Sequence, residues 1–399
     1  MYLDYAKTHG NGEQPVAETE GGTTTIVSNH SKTDYDVYGA RGQLTLQLSS
    51  GHTLTAGAEY GFVKGGGTVM SDAKTVSPAD YGNRENTVSL FAECVGSIGK
   101  WGWNAGLRFE HLSSHYYDYI DGANGISRQY DQLFPSAGIS YNGNKWRHSL
   151  TFRTTTARPS FSALSSATYY VNRFFYQMGN PQLKHQNSYL VEWRTQWKDF
   201  FFSARYTRTN DFISNYFGAT ATKPYSVVST YGNYDNISSL LASLYWSHTY
   251  GVWQPELNGA FVNQFFSVSY MGKPLSCDGN TWNVSFSNTF RITDTFNATL
   301  NYFFSNGGQA GYVKLKPYQY FSAGLTKTFL DRHLAIAFRA FDIFHQYLFR
   351  ERGRIGVVDF TQTEDYRSWN YSLTVTFRLN SNKGKYNGQN SAKETINRL

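Results

Sequence analysis

Apolar and polar side chains alternate along most of this chain, with the period of two that marks a strand buried on one face. In WGWNAGLRFEHL, residues 101–112, the odd positions Trp101, Trp103, Ala105, Leu107 and Phe109 are apolar, while Asn104, Arg108 and Glu110 have the other parity. Tyr189, Val191, Trp193 and Trp197 oppose Glu192, Arg194, Gln196 and Lys198 in the same way. Near the C-terminus Trp369, Tyr371, Leu373, Val375 and Phe377 oppose Asn370, Ser372, Thr374, Thr376 and Arg378. Residues 43–48, 282–291 and 296–305 repeat the pattern. Nowhere do 18 apolar residues follow one another, so any passage through a membrane must use strands rather than a helix.

Two kinds of connection alternate between these runs. Short polar turns fall near 49–51, 99–100, 142–145, 198–199, 250–251, 293–295 and 330–332. Longer segments containing Gly, Asn and Ser fall near 10–33, 65–84, 118–130, 158–186, 214–230, 268–279, 306–311 and 347–366. These connections predict about sixteen strands, and an even number of antiparallel strands with short turns at one end and long loops at the other is the layout of a bacterial outer-membrane β-barrel. The expected fold is therefore all-β, an antiparallel transmembrane barrel with short periplasmic turns and long extracellular loops. It should occupy residues 1–380, with a polar, basic tail over 381–399 that carries Lys383, Lys385, Lys393 and Arg398. Many runs exceed the roughly 9–11 residues a tilted strand needs to cross a bilayer, so the wall should rise above the membrane on the loop side. Pro255 and Pro317 fall inside runs read as strands, where a missing N–H interrupts pairing.

Energy assigns the faces. An arginine on the lipid face at the midplane costs about 2–4 kcal/mol, so Arg108, Arg153, Arg194, Arg205, Arg291 and Arg339 should point inward and their aromatic neighbours outward. Trp101, Trp146, Trp197 and Trp253 lie within a few residues of short turns, as an interfacial aromatic girdle would. Composition agrees: among 399 residues are 31 Tyr and 29 Phe, and only 16% are charged. A soluble sandwich would carry a polar outer face over a core of Val, Ile and Leu. The formal charge of +7 is spread along the chain rather than gathered into a patch, which excludes nucleic acid as the expected partner. Cys94 and Cys277 stand in no metal-ligand or redox spacing, and the first residues show neither a basic nor an apolar region of a secretory signal.

The segment 154–193, TTTARPSFSALSSATYYVNRFFYQMGNPQLKHQNSYLVEW, resembles the barrel portion of TonB-dependent outer-membrane receptors. In that family a strand exits through Arg-Pro-Ser or similar, matched by Arg158, Pro159 and Ser160, and returns through Gly-Asn-Pro-x-Leu, matched by Gly179, Asn180, Pro181 and Leu183. Where members often continue with Pro-Glu, this chain has His185 and Gln186. The last strand and polar tail are also similar to that group. The resemblance covers essentially all of the chain and implies a barrel of twenty-two strands with an N-terminal plug; neither the plug nor a TonB-contact segment is recognisable, and the chain reads as the C-terminal portion of such a receptor. Recognition by barrel-assembly machinery, which commonly reads a terminal aromatic, would fall to Phe377, displaced from the end.

What the resemblance implies is a non-catalytic receptor that takes up a small nutrient ligand, reaching TonB only through a missing N-terminal region and sitting among outer-membrane lipid and lipopolysaccharide. The alternative is a free-standing sixteen-strand porin-like channel, since barrels of that size can hold an aqueous pore. No cofactor is expected, and no nucleophile elbow, P-loop or zinc-protease motif occurs. His111 and His115, with Glu110 beside them, share a parity that could meet a metal, although surface histidines are the plainer reading. Asp118, Asp121 and Asn124 offer oxygens without the spacing of a calcium loop. The strongest ligand candidate is the aromatic and basic group Tyr169, Tyr170, Arg173, Phe174, Phe175 and Tyr176, whose rings could stack on a sugar or, alternatively, pack against neighbouring loops.

Overall fold

Long strands, each paired antiparallel with the next, form one continuous wall in the computed structural model, which describes residues 1–49, 51–120, 125–219, 226–365 and 368–378. They are β1 (Tyr2–Glu20), β2 (Thr23–Ser49), β3 (His52–Ser71), β4 (Ala79–Ile98), β5 (Trp101–Asp118), β6 (Ile126–Asn142), β7 (Trp146–Ala157) and β8 (Gln186–Trp197), followed by β9 (Phe200–Ala219), β10 (Val227–Ser247), β11 (Trp253–Tyr270), β12 (Gly279–Thr293), β13 (Phe296–Ser305), β14 (Tyr318–Phe329), β15 (Leu334–Phe341) and β16 (Asn370–Phe377). The ladder runs in chain order from β1 to β16. Among the described residues no ladder joins β1 to β16, so the wall has two edges.

The expected faces are the observed ones. Leu90, Phe109 and Leu133 lie side by side across β4, β5 and β6 and are all exposed. Val191, Tyr206 and Leu240 do the same across β8, β9 and β10, and Leu325, Phe338 and Leu373 across β14, β15 and β16. The arginines assigned inward have the opposite parity to the exposed apolar side chains beside them, as Arg108 does beside Leu107 and Phe109 and Arg205 beside Tyr206; at the short-turn end of β9 Phe201, with the parity of Arg205, is exposed as well. At the short-turn end Trp146 stacks on Trp197 with ring centroids 5.5 Å apart, Trp101 meets Tyr141 at 5.0 Å and Trp253 meets Tyr250 at 5.6 Å. Flat aromatic bodies with one polar edge suit a boundary that is oil on one side and water on the other.

Several loop boundaries are revised. Residues 10–33, read as a loop, are a continuous hairpin of β1 and β2 closed by Gly21 and Gly22, whose φ values of +57° and +83° are the left-handed pair that a two-residue hairpin turn requires. At 27 residues, β2 spans roughly 90 Å at the rise of a strand, far more than a bilayer needs. The 65–84 segment likewise shortens to the stretch between Ser71 and Ala79. Pro255 is buried near the start of β11, beyond the first residue β11 pairs with β10, and Pro317 lies outside any strand. Residues 306–317 and 347–366 contribute a separate four-stranded antiparallel sheet made of Gly308–Ala310, Val313–Leu315, Phe349–Ile355 and Val358–Glu364. The tail beyond 378, with its four basic residues, lies outside the described residues.

Candidate functional site

Inside the wall, carboxylates are matched by arginines. Glu110 on β5 is buried and takes Arg158 from the start of the fourth long loop and Arg108 from its own strand. Arg108 also reaches Glu59 on β3 and donates to the Ser89 hydroxyl at 2.8 Å, and Arg41 closes on Glu59 at 2.9 Å. A second group gathers on β8 and β9, where Glu192 accepts from Arg205 at 2.7 Å and from Arg194 at 2.6 Å. Removing a carboxylate from such a buried set leaves charges without a partner, which is why the sets rigidify the wall and leave little for a ligand.

The loop from Arg158 to His185 does not stand out in solvent but folds against the wall at the long-loop end. Its hairpin of Thr168–Asn172 with Phe175–Met178 is bound to β2 on one side, where the Asn29 side chain donates to Tyr170 O at 2.8 Å and accepts from Tyr170 N at 3.1 Å. On the other side Phe175–Gln177 pairs in parallel with Val227–Ser229 of β10. The hairpin thus ties the β1–β2 end of the wall to β10. Gly179 sits where a Cβ would come within 2.3 Å of Ser165 O and 2.8 Å of Ser162 O, so only glycine fits. Asn180 then turns the chain by accepting from Gln182 N at 2.9 Å, while its amide donates to Tyr231 O at 2.8 Å.

The six ligand candidates fall into different environments. Tyr170 and Tyr176 are buried, edge to face at 5.7 Å, among Ala73 and Val76; burial, and then the Glu18 carboxylate, push the Tyr170 phenol up to about 12. Tyr169 packs against the cluster of Val69, Tyr81 and Tyr116. Phe175 faces Phe217 at 6.4 Å. Arg173 is held by β1, its backbone N–H donating to Glu18 at 2.9 Å and its guanidinium pairing with Glu20 at 2.9 Å. Phe174, 57% exposed, is the open ring of the group. Thr168, Tyr176 and Met178 border a cavity of about 640 Å³ shared with Thr75–Ala79 and the ends of β9 and β10.

A sequence profile of the outer membrane protein beta-barrel family matches residues 2–378. The chain belongs to that family. As an outer-membrane barrel it has the wall fold of the siderophore receptor PiuA from Acinetobacter baumannii, at a TM-score of 0.60 and 11% identity, with 94% of this chain and 61% of that one covered. It is also similar to the ferric citrate transporter FecA in its unliganded form, at a TM-score of 0.59 and 13% identity over 93% and 57% of the two chains. A third similar structure is the ferric yersiniabactin uptake receptor FyuA from Yersinia pestis, at 0.57 and 14% over 91% and 57%. The chain thus spans about six-tenths of the length of the structures it matches. No curated protein sequence matches it.

In this outer-membrane barrel the weaker candidates have ordinary partners. His111 Nδ1 lies 2.7 Å from Asp131 Oδ1 across the β5–β6 ladder, and His115 bonds the Ser127 hydroxyl and meets the Tyr117 ring, tilted, with centroids 4.3 Å apart. Glu110 projects to the opposite face from both histidines, by parity. Asp118 accepts from Ile120 N at 3.1 Å; Asp121 and Asn124 lie outside the described residues. Among the described residues no group of three His, Cys, Asp or Glu is placed to hold a metal ion. Sequence reasoning overlooked Lys314, Lys316, Arg350, Arg352 and Arg354. Their signal was present in VKLKP and FRERGRI, where every second residue is basic, the period of a strand with one cationic face.

Proposed function

We propose that this chain is the barrel portion of a TonB-dependent outer-membrane receptor, of up to twenty-two strands when complete, that captures a small nutrient ligand at the long-loop end and imports it with energy delivered through an N-terminal plug. The observation that carries this reading is the inward folding of the long loops. The fourth loop ties the β1–β2 end of the wall to β10, and Gly356, at the tip of the 349–364 hairpin, donates to Ser269 O and accepts from Met271 N, both at 2.7 Å. Loops held over the inner side of a wall make a binding mouth, whereas an open aqueous pore needs a clear path. Support also comes from the outer edges of β1 and β16, which no ladder joins among the described residues, since unbonded backbone in a bilayer costs several kcal/mol per group and further strands would satisfy it. Two of the matched structures are named as a siderophore receptor and a ferric citrate transporter, which makes a metal chelate the first ligand class to try.

The test is ligand uptake by cells that carry the intact receptor as their only route. The reading predicts uptake that disappears when TonB is deleted or the proton gradient is collapsed. Uptake that persists in both cases, together with a steady open-channel current in planar bilayers, would instead establish a passive porin.

A further inference from the structure

The small sheet formed by residues 308–364 carries a cationic face. Lys314 on its second strand lies directly opposite Arg352 on its third, and Lys316 N donates to Arg350 O at 2.9 Å. Arg350, Arg352 and Arg354 are alternate residues of one strand, so their side chains share a face, and all five cations are exposed. Like charges opposite each other across a ladder destabilise it; a sheet built this way gives up local stability to hold positive charge in one place.

That charge is only partly met within the protein. Asp359 takes Arg352 through two bonds of 2.7 and 3.0 Å, and among the described residues this is the ion pair the five cations make. The same five border a cavity of about 1090 Å³ together with side chains such as Asn280 and Gln309. Glu351, of the other parity, borders it too, but burial, and then the neighbouring Glu364, push its carboxyl above the usual carboxylate range, which weakens it as a counter-charge. The other face of the sheet is anchored: Ile355 is fully buried against Phe266, Val268 and Cys277, so the cations are presented from a fixed support.

We propose that this cavity is a binding site for a small polyanion, a molecule bearing two or more carboxylate or phosphate groups. Arg350 and Arg354 supply planar forks that match two-oxygen anions, Lys314 and Lys316 supply point charges, and Arg352 is held in place by Asp359. The proposal names the chemistry of the ligand in the receptor reading above and rests on that reading only for its biological role. Binding needs no energised transport, so the two are separable: loss of uptake with anion binding retained would remove the receptor reading alone.

The intact receptor, purified in detergent, is titrated calorimetrically with tricarballylate and with pyrophosphate at low ionic strength. At least one probe binds the wild type, with affinity falling as salt rises. The double variant Arg350→Gln/Arg354→Gln weakens it by about tenfold or more, while Lys100→Gln/Lys145→Gln, which removes two cations at the short-turn end, leaves it unchanged. Asp359→Asn, which releases Arg352 without removing a cation, keeps or raises the affinity and guards against a variant that simply fails to fold. Failure of both probes to bind the wild type, or equal losses in the two double variants, would overturn the site.

Discussion

The arginines of the inner wall and those of the loop sheet are chemically identical but differently supplied. Around Glu110, three acidic and basic strand partners and one loop arginine interlock, so that Arg41, Arg108 and Arg158 all end on Glu59 or Glu110. In the loop sheet, among the described residues, only Arg352 of the five cations has an ion pair, with Asp359. A guanidinium that already has its carboxylate contributes to stability and to the shape of the wall; one without it is available to an anion from outside. The same contrast applies within the fourth loop. Tyr170 and Tyr176 are spent on packing and Arg173 is paired with Glu20, leaving Phe174 as the open ring of that group.

This difference can be broken experimentally, beginning with the largest effect. Glu110→Gln strips the buried Arg158 of its carboxylate and leaves Arg108 with Glu59 alone, and should cost about 3–5 kcal/mol, read as a lower urea midpoint for unfolding in detergent. Gly179→Ala forces a methyl group toward three carbonyls and should cost about 1–3 kcal/mol, with the protease sensitivity of the fourth loop rising in parallel. Tyr176→Phe removes the hydroxyl that meets Thr75 at 3.2 Å and should cost about 1 kcal/mol with the ring packing intact. Arg350→Gln should shift stability by no more than about 0.5 kcal/mol, in either direction, because among the described residues the side chain has no acidic partner to lose. A loss as large as that of Glu110→Gln would show that the loop-sheet cations are structural after all.

The wall was readable because its rule is local. Strand and face follow from parity, and parity is visible in runs such as Tyr371, Leu373, Val375 and Phe377, all exposed as expected. The loops were not readable to the same degree, because what places them is distant in the chain. Asn29 fixes Tyr170 across 141 positions, and Val313–Leu315 finds its partner in Glu351–Gly353; nothing near either segment announces the other. For the same reason the sequence left two readings of Tyr169, Tyr170, Arg173, Phe174, Phe175 and Tyr176, a ligand surface or packing against neighbouring loops, and in the fold these six lie in different environments. The 10–33 stretch was misread for a different cause: Gly, Asn and Pro residues suggest a loop, yet the β1–β2 register runs unbroken through Pro15↔Ser28, and among the described residues β1 has that one ladder, so Pro15 interrupts no second one.

All of this depends on the apolar face meeting lipid and the charged face turning inward, and spin labels scanned along β16 from Tyr371 to Phe377 test that most directly. In membranes, the account predicts that access to dissolved oxygen oscillates with a period of two, peaking at Tyr371, Leu373, Val375 and Phe377, with access to a water-soluble nickel chelate peaking at Ser372, Thr374 and Thr376. A uniform profile, or one with the phases reversed, would contradict it.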